Sequence, residues 1–473
     1  MERTLFVLFA ILLLDLLAFT SILPLFPALM EFYSKNQITH DQLYYIVQQT
    51  LGSFQRLIGA PNVIRFNYVF FGGLLGSMFS FLQFLSAPVF GALSDSFGRK
   101  PLLLLSVAGS LCSYILWAKA TSFSIFVLSR VIGGISKTSV NLAAAIVTDV
   151  CPPSKRGKGM AVVGICFAIG FLVGPMIGAY FSVRFRSGTA SGDFYVAPAC
   201  FACLLSILEC ICIICFLPET LPKAKQLPLE RVSRSVIDYI HPKSLFQFAL
   251  MKKSLKHSAL TDVQSIGAAY FLYLFLYSGM EFTLTFLTHL RFNYDSMLQG
   301  RMFVFIGVIM ILVQGGYLRR IPSSKQRISA VRGVMLILPA FLTIAWTQSK
   351  FLFYTGLSFY AAGSAVVVPC LTAVISEHGS DHEKGVLLGI FRSLGALARG
   401  IGPFIISALY WSIGPTVTYT LAACLLILPL LMLKRSSVGH NALVSKLSGD
   451  DMSYVSHNNS VEDSKISTAK NNT

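Results

Sequence analysis

Charge is scarce in this sequence. Only 12% of its 473 residues are Asp, Glu, Lys or Arg, where a soluble domain carries about 25%. Acids are scarcer than bases, 21 against 38. A soluble globular chain is excluded on that ground. Other absences narrow the function. No phosphate-binding loop of G-x-x-x-x-G-K type occurs, so nothing indicates direct ATP drive, and no metal-ligand cluster or nucleophile triad is seen. The chain reads as neither an enzyme nor a cofactor or metal protein. No cysteine lies in 31–66, so no disulfide staples that segment. Five of the ten cysteines (Cys200, Cys203, Cys210, Cys212, Cys215) fall on one apolar run, where they read as polarizable helix filler.

What the chain has in quantity is apolar sequence, 54% of residues, in long non-alternating runs. Such runs span bilayers as helices. Twelve spans are expected, near 5–30, 67–93, 101–118, 123–148, 159–182, 194–217, 264–290, 301–318, 332–348, 351–376, 385–411 and 414–433. The first follows only Met1-Glu2-Arg3 and is too long for a signal-peptide core, so it reads as a retained helix. The excess positive charge, +17, does not point to nucleic acid, because it is distributed by topology. Alternate loops hold Arg99-Lys100, Lys155-Arg156-Lys158, eight Lys/Arg in 218–262, Arg319-Arg320-Lys325-Arg327 and Lys434-Arg435. Basic loops stay on the cytoplasmic side, which places both termini there.

The spans divide six and six. This predicts an all-α membrane protein of two pseudo-symmetric six-helix bundles, 1–217 and 263–433, joined by a cytoplasmic linker at 218–262 and followed by a disordered cytoplasmic tail at 434–473. Leu229–Ile240 has the pattern of a short surface helix. The Asn458-Asn459-Ser460 sequon lies in the tail, where it would go unused. Each half repeats a Gly-Pro pair in its fifth span, Gly174-Pro175 and Gly402-Pro403. Proline bends a helix, and flanking small residues admit a close neighbour, as two rocking bundles need.

GALSDSFGRK, between the second and third spans, carries Gly91, Asp95, Gly98, Arg99 and Lys100 in the G-x-x-x-D-x-x-G-R-K spacing. That loop resembles the signature of the major facilitator superfamily. Ser96 stands where the family usually has a base, and the second-half counterpart, Gly315–Gln326, lacks the aspartate. Arg130-Val-Ile-Gly133-Gly134 and Gly170–Pro175–Gly178 resemble two further family signatures, the latter best known from antiporters. Leu12–Pro27, Ser129–Lys137, Phe216–Pro222, Tyr270–Gly279 and Phe391–Pro403 look like a tetracycline-transporter-like branch found in animals, whose members carry organic anions. The resemblance implies a charge latch at Gly91–Lys100, a central cavity lined by helices 1, 4, 7 and 10, and passage of amphipathic, drug-like anions.

The residues agree with a cavity that favours anions. Arg130, Lys137 and Asn141 share one face of an expected continuous fourth helix. Arg392 and Arg399 are likewise seven apart on span 11, with no acid between Gly385 and Trp411. A lysine at mid-membrane costs roughly 2.5–3.5 kcal/mol unless it faces water or a partner. Intramembrane acids are few: Asp15, Glu209 and Glu281. Lys137, Arg392, Arg130, Arg399 and Asn141 are therefore the expected substrate contacts. Arg130 and Arg399 read equally as structural braces. Asp15 reads as a proton carrier, a salt-bridge partner of Lys137, or both, with Glu281 its counterpart in the second half. His289 reads as an interfacial residue, and Tyr270, Tyr273 and Tyr277 as core packing ahead of a ring-lined path. The favoured function is a monomeric transporter of organic anions working by alternating access, with protons as a candidate second cargo and the plasma membrane the expected host, an internal membrane remaining open. A drug:proton antiporter for cationic or zwitterionic drugs, and a non-transporting receptor or scaffold, are the competing readings.

Overall fold

The computed structural model describes residues 2–36, 41–58, 64–152, 156–184, 192–223, 226, 228, 236, 239–252, 254–379 and 384–434. Most of the expected surface helix at 229–240, Lys155, Arg435 and the whole tail from Ser436 lie outside them. Twelve segments are long and apolar enough to cross a membrane. Their backbone is helical because hydrocarbon offers no other partner for its polar groups.

The first half contains α1 (Glu2–Thr20), α2 (Phe26–Asn36), α3 (Gln42–Ile58), α4 (Ile64–Phe97), α5 (Arg99–Ala118), α6 (Phe123–Ser136), α7 (Ser139–Val150), α8 (Arg156–Arg184) and α9 (Val196–Phe216). The second contains α10 (His257–Phe292), α11 (Ser296–Gly316), α12 (Gln326–Trp346), α13 (Lys350–Ser376), α14 (Lys384–Ile413) and α15 (Pro415–Leu425). Span 1 is interrupted around Pro24, which has no N–H to donate and opens a short 3-10 turn at Leu23–Leu25. The second half starts its helix at His257 rather than near 263. The segment after span 1 carries α3, an amphipathic helix. Asp41 begins it by accepting the amides of Leu43 (3.0 Å) and Tyr44 (3.1 Å), and tethers it to α6 through the Ser124 hydroxyl (2.6 Å) and amide (2.8 Å). Burial pushes the Asp41 carboxyl up, but those four hydrogen bonds to its charged form outweigh it and hold it below the usual value.

Span 4 is not one helix. It breaks at Lys137-Thr138 into α6 and α7, so the expected continuous polar stripe through Arg130, Lys137 and Asn141 does not exist. The signature segment 91–100 is also not a loop. α4 runs to Phe97 and α5 starts at Arg99. Gly91 is inside a helix, and the whole turn is Gly98 at φ +100°, a backbone region that only glycine enters cheaply.

Apolar packing divides unevenly between the two faces of the bundle. One buried core joins the halves, running from Leu25, Leu29 and Phe71 to Phe286, Ile406 and Trp411. A second core, with Leu8, Leu103, Leu142 and Ile213, belongs to the first half alone. Polar contacts follow the same division. Away from Gly98 the halves are stitched together by Glu31–His289 (3.2 Å), Trp411 to Asn67 (2.8 Å) and the Phe404 amide to Ser77 (2.6 Å). Phe26 meets Phe282 edge-on, with ring centroids 5.5 Å apart. On the Gly98 face, every described ion pair stays within its own half.

Two such clusters hold the Gly98 face. In the first half Arg99 reaches Asp95 (2.7 Å) and Asp149 (2.8 Å). In the second, Arg327 reaches Asp262 (2.7 Å), which also meets His378 (2.9 Å). The missing aspartate of the second-half counterpart is thus supplied from α10. The bond to Asp262 raises the His378 imidazole above its usual 6.5, against the opposing effect of burial. A raised imidazole stabilises the fold fully below 6.5, and that contribution is lost as pH rises through the folded value. His378→Gln keeps a donor but not the charge. Its deficit in thermal unfolding temperature against wild type should be largest near pH 6 and shrink toward about pH 8; a deficit independent of pH would remove the charge from the account.

Candidate functional site

The break in span 4 is built by polar side chains competing with the helix for its backbone. The run Ser136-Lys137-Thr138-Ser139 is poor helix sequence, because short hydroxyl side chains bond nearby backbone groups. Lys137 leaves the helix at φ −76°, ψ 67°. The freed groups are each met from outside. Gln83 Nε2 donates to the Lys137 carbonyl (2.8 Å), and Ser106 Oγ donates to the Ser136 carbonyl (2.6 Å).

The break lets Lys137 turn inward. Its Nζ pairs with Asp15 Oδ1 and donates to the Asp15 carbonyl (3.2 Å), while Ser139 Oγ donates to Asp15 Oδ2. The Phe19 ring lies 4.9 Å from the ammonium. Asp15 is 1% and Lys137 4% exposed. This is a dry pair inside the first half, not a side chain turned to water. Of the three roles open to Asp15, the partnership with Lys137 is the one visible in this conformation.

Arg130 does not join that pair. It is buried among Phe126, Trp117 and Phe79, with its guanidinium carbon 5.5–5.9 Å from the ring centroids, and its Nη2 has no hydrogen-bond partner. A crevice of only about 10 Å³ lies between it and Lys137, walled by Phe19, Phe79, Ser110 and Tyr114. Asn141, on α7, is exposed. Glu209 lies at 0% exposure, close enough to feel the charges of both Asp15 and Lys137, and neither of its carboxyl oxygens has a partner.

The second half behaves differently. On α14 the residues Gly385, Arg392 and Arg399 form an exposed stripe, while Ile390, Leu394 and Ala398 are buried. No described carboxylate comes within ion-pair distance of either arginine. Tyr270 of α10 stacks on Phe391 at 3.8 Å and lies within electrostatic reach of both arginines, so the stripe flanks α10. Glu281 is partly buried, with the Tyr277 hydroxyl at 3.4 Å, and Arg399 acts on it through space. Tyr270, Tyr273 and Tyr277 are all buried. Tyr277 stacks on Tyr360 of α13 at 5.2 Å, which is core packing.

Both Gly-Pro pairs sit inside intact helices at close crossings. A side chain at Gly174 would run into Thr20 on α1, and one at Gly402 into the Phe275 carbonyl on α10. Residues 8–403 match the model of the Major Facilitator Superfamily.

The chain belongs to the major facilitator superfamily.

It is 44% identical over 449 residues to mouse major facilitator superfamily domain-containing protein 10, covering 94% of this chain and 95% of the relative. Against the crystal structure of the human organic anion transporter MFSD10 (TETRAN) the TM-score is 0.75 at 43% identity, covering 91% of this chain and 99% of that one. The class B tetracycline resistance protein of Escherichia coli is 26% identical over 72% of this chain and 78% of its own length. The superfamily fold makes this a multi-pass membrane transport protein, and the twelve spans agree with it.

Three acids went unassigned in the sequence, Asp149 and Glu209 in the first half and Glu219 at the start of the linker. Asp149 grips Arg99, and Glu219 caps α5 by accepting the amides of Arg99 (2.9 Å) and Lys100 (3.1 Å). The Phe216–Pro222 run contained that signal, because an acid just past the sixth span can reach the basic segment. Glu209 gave none beyond being an acid in an apolar run.

The Asp15–Lys137 pair makes a stability prediction. Removing one partner strands the other in a dry interior, at a cost of about 3–5 kcal/mol, whereas replacing both with apolar groups is close to neutral. Lys137→Ala should therefore lower the unfolding temperature in detergent markedly, and Asp15→Leu/Lys137→Met should recover most of the loss. A double variant as unstable as the single one would show that the pair is not what sets the cost.

Proposed function

We propose that the protein carries amphipathic organic anions across the membrane by alternating access, with the anionic group received first by Arg392 and Arg399. The observation that carries this reading is the α14 stripe: two exposed arginines on a largely apolar helix, with no acid paired to them among the described residues. Uncompensated positive charge between low-dielectric walls concentrates anions, and a guanidinium grips a carboxylate or sulfonate with two parallel bonds. Asn141 is exposed on the facing half as a further polar contact. The basic loops face the cytoplasm, with both termini, and the plasma membrane is the expected host. The conformer described is then the one open to the cytoplasm, because its halves share their core on the other face.

Asp15 couples a proton in this scheme. Protonating Asp15 removes the charge that holds Lys137, and the freed ammonium becomes a third anion contact. Proton and anion thereby favour the same state, and each strengthens the binding of the other. Glu281, beside Arg399, is the second-half candidate for the same role. The Gly174 and Gly402 crossings are where the bent helices slide against α1 and α10.

A second reading is favoured by one observation. α8, which carries the antiporter-like signature, packs directly on α1 below Asp15, with Thr20 Oγ1 donating to the Gly170 carbonyl at 2.8 Å. An antiporter for cationic drugs would let the drug cation replace Lys137 at Asp15. Matched anionic and cationic amphiphiles separate the two. In liposomes holding the purified protein, uptake of a fluorescent anion should be inhibited by the anionic member. Arg392→Gln/Arg399→Gln should weaken that inhibition about 10-fold or more, since hydrogen bonds to charged groups are worth about 1.5–3 kcal/mol. Inhibition by the cationic member alone, unchanged in the variant, would favour the antiporter.

A further inference from the structure

The third membrane helix of each half starts on the Gly98 face, and the two starts are finished differently. In the first half, Glu219 lies across the N-terminus of α5 and accepts two of its free amides. The Arg99 guanidinium is met separately by Asp95 and Asp149, and Lys100 Nζ donates to the Ile214 carbonyl. A carboxylate is well placed there, because unpaired amides and the helix dipole favour negative charge. Among the described residues, no acid does this in the second half. α12 starts after Lys325, with no side-chain cap. The sequence after the last span reads Lys434-Arg435-Ser436-Ser437, and its first acid is Asp450.

At the start of α12 the second half has an open groove of about 580 Å³. Arg320, Lys325 and Arg332 line it, together with Tyr317, Ile321 and Ile328, and no acid is among its described lining residues. Its apolar wall continues along the membrane-facing sides of α11 and α12, where Leu312, Met335 and Leu336 are exposed. Leu312 is one turn from Gly316, and Met335 and Leu336 are one turn from Arg332, so the basic mouth and the apolar wall share a face. The positive-inside bias accounts for bases in this loop. It does not account for three cations around one concavity with an exposed apolar wall leading out of it.

We propose that this groove binds the phosphate headgroup of an anionic phospholipid, which supplies from the bilayer the negative charge that Glu219 supplies in the first half. The acyl chains lie against Leu312, Met335 and Leu336. The open apolar wall is what selects a lipid over free phosphate or over the acidic stretch of the tail. The site is separate from the Arg392–Arg399 stripe and does not depend on the cargo.

The test uses the full-length protein in detergent, with phosphatidylserine, phosphatidylglycerol or phosphatidylcholine added, read by thermal unfolding and by native mass spectrometry of retained lipid. Both anionic lipids should raise the unfolding temperature saturably and stay bound, and phosphatidylcholine should do neither. Arg320→Gln/Lys325→Gln/Arg332→Gln should lose most of the shift and of the bound anionic lipid. Arg320→Gln alone should lose part, which keeps the test open if the triple variant does not fold. An undiminished shift in both variants overturns the proposal. So does a full shift from glycerol 3-phosphate alone, which would make the ligand free phosphate. Neutralising Asp450, Asp451, Glu462 and Asp463 tests the tail: if that costs as much stability as the triple variant in lipid-free detergent, the occupant is the chain itself.

Discussion

The pairing of Lys137 with Asp15 is the constraint around which the first half is arranged. A lone ammonium or carboxylate at mid-membrane is costly, and the chain resolves this by breaking span 4 so that one charge can reach the other. The break has its own demands. Gln83 and Ser106 are turned inward to serve its carbonyls, Ser139 completes the coordination of Asp15, and Phe19 closes over the ammonium. Remove the pair, and each of these polar groups is left in an apolar bundle with less reason to be there. Glu209 sits beside this arrangement without a partner, so the carboxyl groups of the first half are unequally provided for.

The two halves divide the electrostatic work. The first buries its intramembrane ionisable groups and pairs Lys137 with Asp15. The second keeps Arg392 and Arg399 exposed, with no described carboxylate within ion-pair distance. Under the proposed scheme, one proton that unmatches the Asp15–Lys137 pair would link protonation to anion capture without a long relay. The faces are unequal too. The shared core and the cross-half bonds lie on one side, while on the other each half secures its own arginine, Arg99 with Asp95 and Asp149, Arg327 with Asp262. Charge clusters confined to single halves leave the halves free to separate there.

Much of the fold was legible in the sequence, because apolar runs of span length leave a chain in hydrocarbon few choices. Twelve spans and a six-plus-six division follow from run length and loop charge. The Gly-Pro repeats correctly marked close crossings. What periodicity could not show was where a helix stops. Lys137 was visible as an anomaly, yet seven-residue spacing assumes an unbroken helix, and the hydroxyl-rich run that breaks it looked like ordinary span sequence. Arg392 and Arg399 obey the same spacing on an intact helix, and there they do share an exposed face. Gly98 was read as part of a longer loop because a one-residue turn between helices has no signature beyond its glycine. Tertiary partners such as Asp149, Glu219 and Asp262 lie 50 to 120 residues away from the arginines and amides they serve, beyond the reach of local pattern.

The most direct measurement is uptake of a fluorescent organic anion into liposomes holding the purified protein, with and without an imposed pH gradient, for wild type and for Asp15→Asn. The account predicts wild-type uptake that is accelerated by the gradient and variant uptake that has lost this acceleration while still discriminating anions from cations. Uptake that responds to the gradient equally in both proteins would contradict the role assigned to Asp15 and its lysine.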